Sequence, residues 1–457
     1  MIDSTIAIQE MISIVGAKYV LSELDKQYNY SFDVTTKKCT YPLAVILPKN
    51  TEEVSQIMKY CYNENIKVTV RGGGTSVSGG SVPSGDDFVL SLERLNNIIE
   101  IHKINRTVTL ESGVITENLK KEVLKHGLCF PQNISSASQS FIGGNIAISS
   151  GSPKSFKYGS TKNAVLNLEV VLADGQILWT GKNVTKNATG YNLTQLFIGS
   201  EGTLGIITKA VLKLEIPKKE VLFLLPFKSL ELFFGFINDF FNEDFNVSCV
   251  EFVDKNGYEL VSNFLDSKDR FGKGIEGLLW IEYEVDSNEG LEKLTSFILN
   301  YNIEEVLFAD NKKDIDILWS FRRSLGDASV NYAAFKDIDI VVPRSDSSVM
   351  YNEIVMICKE YDLEYIVVGH IGDGNFHVNI FNTKHENMDW NNKIEKCITQ
   401  IFYKVNQLGG TISGEHGVGS LYNSFLNIVL SDKHIELMKD IKNVFDKKKI
   451  LNSGNLF

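Results

Sequence analysis

The sequence predicts an α+β protein in two parts: a glycine-rich domain of alternating strands and helices, and a second α+β domain. Three observations predict it. Strand and helix patterns alternate from residue 41 onward, and three long glycine- and serine-rich segments interrupt them. After about residue 216 glycine thins out, and aromatic and aliphatic runs alternate with helical stretches such as GLEKLTSFILN. At 457 residues the chain exceeds one simple core, since a domain takes ~100–200 residues. The expected boundaries are a helical lead-in at 1–40, a first domain at 41–217, a second at 218–405, and a C-terminal segment at 406–457.

Each element has its own signal. Ala44–Leu47 reads as a buried strand, punctuated by Pro48 and Asn50. TEEVSQIMKYCYNEN follows as a helix with Thr51 as N-cap and two glutamates in its first turn, where they meet the positive end of the helix dipole. KVTV (67–70) is the next strand and runs straight into RGGGTSVSGG. RTVTLESGVI alternates Thr107, Thr109 and Glu111 with Val108 and Leu110, the pattern of a half-buried strand. TENLKKEVLKHG is a helix that Gly127 ends, and NLEVVLADGQILW is a hairpin turning on Asp174-Gly175. The most apolar stretch, VLFLLPFKSLELFFGFINDFF (221–241), carries Lys228, Glu231, Asp239 and a proline. A core strand followed by a helix accounts for it better than a membrane span does.

Composition narrows the function. The chain is 43% hydrophobic and 23% charged, as in soluble globular proteins. Its net charge of −11, from 46 basic and 57 acidic residues, excludes nucleic acid as a general partner, because phosphate binding needs a basic face. A small anionic substrate would be held by a few local Arg, Lys or metal charges. Cys39, Cys61, Cys129, Cys249, Cys358 and Cys397 show no C-x-x-C spacing, so they read as reduced thiols rather than ligands of an iron–sulfur cluster. The N-terminus has early acidic residues and no uninterrupted apolar core, so no secretory signal is read there and a cytoplasmic location is expected.

The glycine-rich segments carry the first chemistry. VTVRGGGTSVSGGSVP follows a strand, and its amides and hydroxyls can close on a pyrophosphate as an anion nest. It is neither a Rossmann fingerprint, because the last glycine of G-x-G-x-x-G falls on Val77, nor a Walker loop. The segments at 130–161 and 190–214 repeat the composition. Three such segments are costly to order as idle loops, and they make sense lining one large phosphate-bearing cofactor.

In order, RGGGTSVSGG, PQN–SS–SFIGGNIAISSGSPKSFKYG, VVLADGQI and LFIGSEGTLGIIT resemble the FAD-linked oxidases of the vanillyl-alcohol-oxidase type, whose flavin domain is called PCMH-type. Within them the pattern is most similar to glycolate oxidase flavin subunits and the D-lactate and D-2-hydroxyglutarate dehydrogenases. The resemblance implies a two-subdomain PCMH-type FAD-binding domain, an α+β cap domain on an antiparallel sheet, and a C-terminal segment that completes the active site and packs on the FAD domain.

By position, the resemblance places Arg71, Gly72, Gly73, Gly74, Thr75, Ser76, Gly79 and Gly80 around the pyrophosphate, with Ser136, Ser138, Ile142, Gly143 and Gly144 opposite. Pro131, Asn145, Ser150, Gly151, Tyr158 and Gly159 extend that contact. Glu201, Gly202, Gly205, Ile206 and Ile207 fall by the isoalloxazine and the adenine-side backbone. The first loop lacks the histidine usual in covalent flavoproteins, which implies dissociable FAD. Asn133-Ile134 stands where Asp-Pro is common and Asn192 where GYDL is common, both changes conservative in shape.

The second chemical signal is GHIGDGNFH (369–377). YIVVGHIGDGNFHVNIF reads as a β-hairpin, and folding back at Gly372–Asn375 can place His370 and His377 side by side. Asn379 shares a face with His377 by the period-2 rule. About forty residues later GGTISGEHGVGS offers Glu415 and His416. Singly, each histidine reads as structural. Together, two imidazoles and a carboxylate are a common divalent-metal set with positions left open for substrate.

The resemblance sharpens these roles. It implies His370, His377 and Glu415 as ligands of zinc, manganese or iron, His416 as catalytic base, and Arg322 (in LWSFRR) and Asn379 in contact with substrate. Tyr422 stands where close relatives carry a lysine, and so becomes a candidate substrate contact; Asp337 likewise stands where they carry a lysine, with Lys336 one position off. A second substrate carboxylate would then lack a cationic partner, which favours D-lactate or glycolate over D-2-hydroxyglutarate.

The implied activity is metal-assisted, FAD-dependent oxidation of a small 2-hydroxy acid. Hydride passes to FAD, and electrons pass on to a separate acceptor: an electron-transfer protein, an iron–sulfur subunit, a quinone or a cytochrome. An oxygen-using oxidase, a D-2-hydroxyglutarate-type dehydrogenase and a non-catalytic flavin-binding subunit are the alternatives. Peripheral membrane association and a homodimer stay open.

Overall fold

In the computed structural model, which describes residues 4–34, 39–267, 270–384 and 386–456, Asn50 rather than Thr51 caps the first long helix. Asn50 is extended (φ −156°), and its Oδ1 accepts from the Glu53 amide at 2.8 Å. Thr51 is the first helical residue, and its hydroxyl donates instead to Glu169 at 2.6 Å. The helix, Thr51–Glu64, buries Val54, Ile57, Met58 and Cys61, the spacing of one helical face. That face packs on a four-stranded sheet ordered Val20–Leu21, Ala44–Ile46, Asp87–Ser91, Lys67–Arg71. The last three strands run parallel, as a βαβ crossover requires.

A five-stranded antiparallel sheet follows in the order Ile98–His102, Thr107–Glu111, Ile206–Lys213, Val165–Val171, Ile177–Trp179. The expected hairpin is its last pair, with Gly175 at φ 85° in the turn. The two sheets, with residues 1–151, 159–217 and 415–457, form one unit of the chain. The second unit comprises residues 152–158 and 218–414. It is built on a seven-stranded antiparallel sheet in the order Leu307–Ala309, Glu220–Phe227, Gly277–Glu284, Val247–Asp254, Glu364–Gly369, Asn375–Asn382, Ala334–Val341. Its central strands Val247–Asp254 and Gly277–Glu284 are buried at every position, which removes the polar–apolar alternation a half-exposed strand would show.

The architecture is thus α+β, with antiparallel sheets in both units. The division differs from the expected boundaries in three places. The lead-in contributes Val20–Leu21 to the first sheet, and its residues 1–3 and 35–38 lie outside the described residues. The second unit runs on to Gly414, because Thr411 and Ser413 bridge to Val341 and Asp339. Residues 152–158 belong to it because Lys154 pairs with Glu220 and Glu282, and Lys157 with Glu284. Burial opposes the Lys154 charge, but the Glu282 and Glu220 carboxylates outweigh it and raise its pKa. The apolar stretch 221–241 is a strand to Phe227 and a helix Leu230–Phe240; among the described residues no helix is long and apolar enough to cross a membrane. The six cysteines are free thiols, four of them buried.

Candidate active site

The first glycine loop and the segment 136–144 meet backbone to backbone. A Cβ on Gly73 would lie 2.2 Å from the Gln139 carbonyl oxygen, so only glycine lets the two strands of backbone approach this closely. Gly144, by contrast, faces open space, where a Cβ would meet nothing within 4 Å. Ser112 Oγ and Gln132 Oε1, two buried polar atoms, find no partner among the described residues, and the Gly143 amide donates to the Ser112 carbonyl at 2.7 Å. An opening bordered by glycine backbone, with buried polar atoms awaiting a partner nearby, fits a cofactor that brings its own hydrogen-bonding groups.

Not every implied cradle residue faces it. The Arg71 guanidinium is buried and donates to the carbonyls of Ser81 (3.2 Å) and Asn29 (3.0 Å), so it holds the loop's shape instead of presenting charge to a phosphate. The Tyr158 hydroxyl bonds to Glu284 in the second unit. Gly151 makes room for Glu415: a Cβ there would sit 2.1 Å from Glu415 Oε2. Both Glu201 carboxylate oxygens accept backbone amides, those of Val418 and Gly419, each at 2.9 Å.

In the second unit the hairpin forms with a short 3₁₀ turn, Ile371–Asp373, between its strands, and Gly374 at φ 72° completes the reversal. The Asp373 amide closes this turn on the His370 carbonyl at 2.8 Å. His377 pairs with Val368 on one side and Asp339 on the other. The His370 and His377 rings stand 5.2 Å apart, nearly perpendicular, with ring nitrogens within 4.8 Å of each other.

Two carboxylates that sequence reasoning missed organise the histidines. Glu251 is fully buried on strand Val247–Asp254; it bonds to His370 Nδ1 and lies 3.1 Å from Arg322 Nη2. A carboxylate on Nδ1 places the imidazole proton there and turns Nε2 into the lone-pair donor. Asp339 accepts from Asn375 Nδ2 (2.7 Å) and the Gly414 amide (2.9 Å), and its Oδ1 lies 3.8 Å from His377 Nδ1. The signals were faint: one acid inside the apolar run SCVEFV, and the period-2 pair Asp337 and Asp339 in KDIDIV.

Register fixes the faces that Lys336 and Asp337 take. Asp337 lies opposite Asn379 and Asp339 opposite His377, so all four share one face of the sheet. Lys336 pairs with Ile380 on the other face. A carboxylate oxygen of Asp337 comes within 4.8 Å of a ring nitrogen of His377. Asn379 Nδ2 donates to Ser329 Oγ at 3.0 Å.

Glu415 and His416 belong to the first unit, entered directly from Gly414. His416 Nε2 lies 3.6 Å from Glu415 Oε1. The Tyr422 amide donates to the Val418 carbonyl at 3.0 Å, closing the turn that follows.

Comparison with known proteins adds the following. The family model described as "FAD linked oxidases, C-terminal domain" matches residues 216–456, and "FAD binding domain" matches residues 42–181. The chain is 35% identical to glycolate oxidase subunit GlcD of Bacillus subtilis (98% of this chain, 96% of the relative). It is 31% identical to D-2-hydroxyglutarate dehydrogenase of Stutzerimonas stutzeri (98% of each). To D-lactate dehydrogenase of Archaeoglobus fulgidus it is 32% identical, over 93% of this chain and 95% of the relative. Among solved structures, p-cresol methylhydroxylase with substrate bound shares the fold at TM-score 0.82 and 15% identity, over 99% of this chain and 96% of that one. Alkyldihydroxyacetonephosphate synthase shares it at TM-score 0.76 and 16% identity, over 98% and 85%.

Proposed function

The chain belongs to the FAD-linked oxidases, and from that membership we propose that it oxidises a small 2-hydroxy acid, D-lactate or glycolate, to the 2-oxo acid. It is an FAD-dependent oxidoreductase of the group that contains glycolate oxidase subunits and the D-lactate and D-2-hydroxyglutarate dehydrogenases. In this reading His370, His377 and Glu415 hold a divalent metal, His416 is the base, and Arg322, Asn379 and Tyr422 contact substrate. The observation that carries it is the facing pair His370 and His377, the first bonded at Nδ1 to Glu251 and the second with Asp339 Oδ1 3.8 Å from its Nδ1. Borderline cations take such nitrogens with one carboxylate, which points to zinc, manganese or iron.

When bound, FAD accepts the hydride, and the metal lowers the pKa of the substrate hydroxyl. The chain does the rest. Arg322 pairs with the substrate carboxylate, and Glu251 restrains its guanidinium beforehand, so little ordering remains for the moment of binding. The His416 imidazole takes the proton from the hydroxyl oxygen as the α-carbon loses hydride, work suited to a neutral histidine near pH 7. Asp337, on the face of His377 and Asn379, repels a second carboxylate, which favours a monocarboxylate over D-2-hydroxyglutarate. Electrons then leave to a separate acceptor.

The test is an anaerobic screen of D- and L-2-hydroxy acids followed by flavin absorbance, before and after EDTA. Bleaching by D-lactate or glycolate, lost with EDTA and restored by zinc, manganese or iron, is expected. Faster bleaching by D-2-hydroxyglutarate overturns the substrate reading, and EDTA-insensitive bleaching overturns the metal.

A further inference from the structure

We propose that Glu201 is a positioning residue for this oxidation, clamping through the amides of Val418 and Gly419 the turn that carries His416. The inference rests on the reading of His416 as the base. Glu201 combines two costly features. Its backbone is left-handed (φ 54°), a conformation a bulky side chain keeps only where its surroundings enforce it. Its carboxylate is buried, with the residue 6% exposed. Burial pushes that carboxyl up to about 7, against the pull of the Val418 and Gly419 amides.

The surroundings do enforce it. The Glu201 amide donates to the Ala147 carbonyl at 2.8 Å, and its own carbonyl accepts from Asn452 Nδ2 at 2.7 Å. Asn452 in turn accepts from the Val70 amide at 2.7 Å, tying the site to the strand Lys67–Arg71. Glu201 is therefore a fixed post of the first unit.

The turn after His416 is fastened to that post and to one other. Val418 donates to Oε1 and Gly419 to Oε2, each at 2.9 Å. On the second post, Ser78 Oγ donates to the His416 carbonyl at 3.1 Å, and the Ser78 carbonyl accepts from Ser420 (3.1 Å) and Leu421 (3.2 Å). Gly417, at φ 72°, passes so near that a Cβ would stand 2.8 Å from Glu201 Oε1. A carboxylate suits two successive amides because both its oxygens accept and neither donates. The backbone of His416 is thereby gripped on both sides, two residues from the clamp. A base displaced by about 1 Å from its proton loses on the order of 100-fold in rate, so this grip governs chemistry without touching substrate.

Glu201→Gln tests it, because glutamine offers one oxygen and turns an NH2 toward the other amide. Flavin reduction by D-lactate, or by whichever acid bleaches the wild type, is measured anaerobically per bound FAD in wild type, E201Q, H416A and the double variant. The expected result is a reduction rate at saturating substrate about 10- to 100-fold lower in E201Q. Half-saturation should stay within about twofold and FAD content at the wild-type level, with the double variant no slower than H416A. Wild-type rates in E201Q, or losses that multiply in the double variant, overturn the clamp. Undiminished reduction in H416A instead overturns the base assignment, whatever E201Q does. Should E201Q purify without flavin, Glu201→Asp decides: full FAD with slow reduction supports positioning, and parallel loss of FAD assigns Glu201 to cofactor retention and overturns it.

Discussion

Glu251 and Glu201 are both carboxylates removed from water, one in each unit, and their partners differ in kind. Glu251 meets the Arg322 guanidinium and the His370 imidazole; among the described residues Glu201 meets backbone amides. A buried acid opposite a guanidinium and an imidazole orients functional side chains. A buried acid opposite amide dipoles holds a stretch of main chain in place, and bears more of the desolvation cost itself. Glu251 thus organises side chains, while Glu201 organises backbone.

The largest effect should come from removing the charged post. Glu251→Ala strands the Arg322 guanidinium and releases the His370 tautomer, so metal retention against a chelator should fall by about 10- to 100-fold, with substrate half-saturation rising alongside. Glu251→Gln should lose less, since its oxygen can still accept from His370 Nδ1. Equal metal content in all three proteins, measured after dialysis, would dissolve the contrast between the two acids.

The amide-bound post leaves a signature in stability. The Glu201 carboxyl is raised from 4.5 to about 7, so the folded chain binds this proton more tightly than the unfolded chain. The benefit is complete below pH 4.5 and is lost as pH rises through about 7, amounting to about 3 kcal/mol. Denaturant unfolding of wild type minus E201Q should show that slope between pH 4.5 and 7. Asp254, also raised to about 7 by burial, remains in both proteins and cancels from the difference. A flat difference would mean that the two amides suffice to hold the charge.

The smallest expected effect concerns specificity. Asp337→Lys should raise kcat/KM for D-2-hydroxyglutarate relative to D-lactate by about tenfold, by turning repulsion of the distal carboxylate into attraction. An unchanged ratio would show that this face of the sheet does not meet the distal end of the substrate.

Much of this was legible in the sequence, for local reasons. The three glycine-rich segments, the hairpin at 369–377 and the helix after Asn50 follow from spacing and turn chemistry, which neighbouring residues decide among themselves. Even there, one residue of phase went astray: Thr51 and Asn50 can both cap a helix, and the choice depended on Glu169, 118 residues along the chain, which engages the Thr51 hydroxyl. Arg71 shows the same limit, since its guanidinium sits in the right loop but turns inward to Ser81 and Asn29.

By itself the sequence determined the two-part α+β plan, the glycine-rich cradle suited to a phosphate-bearing cofactor and the identity of the histidine and acidic candidates, because residue type and short-range period carry that information; the cradle's flavin character came from the family resemblance. Only the tertiary structure decided which acids serve the histidines. Glu251 reaches His370 across 119 positions of sequence, and Glu201 reaches Val418 across 217. No period or motif spans such distances. Strand order and loop packing set those pairs, and burial then gives each acid a role that the composition of its own segment does not announce.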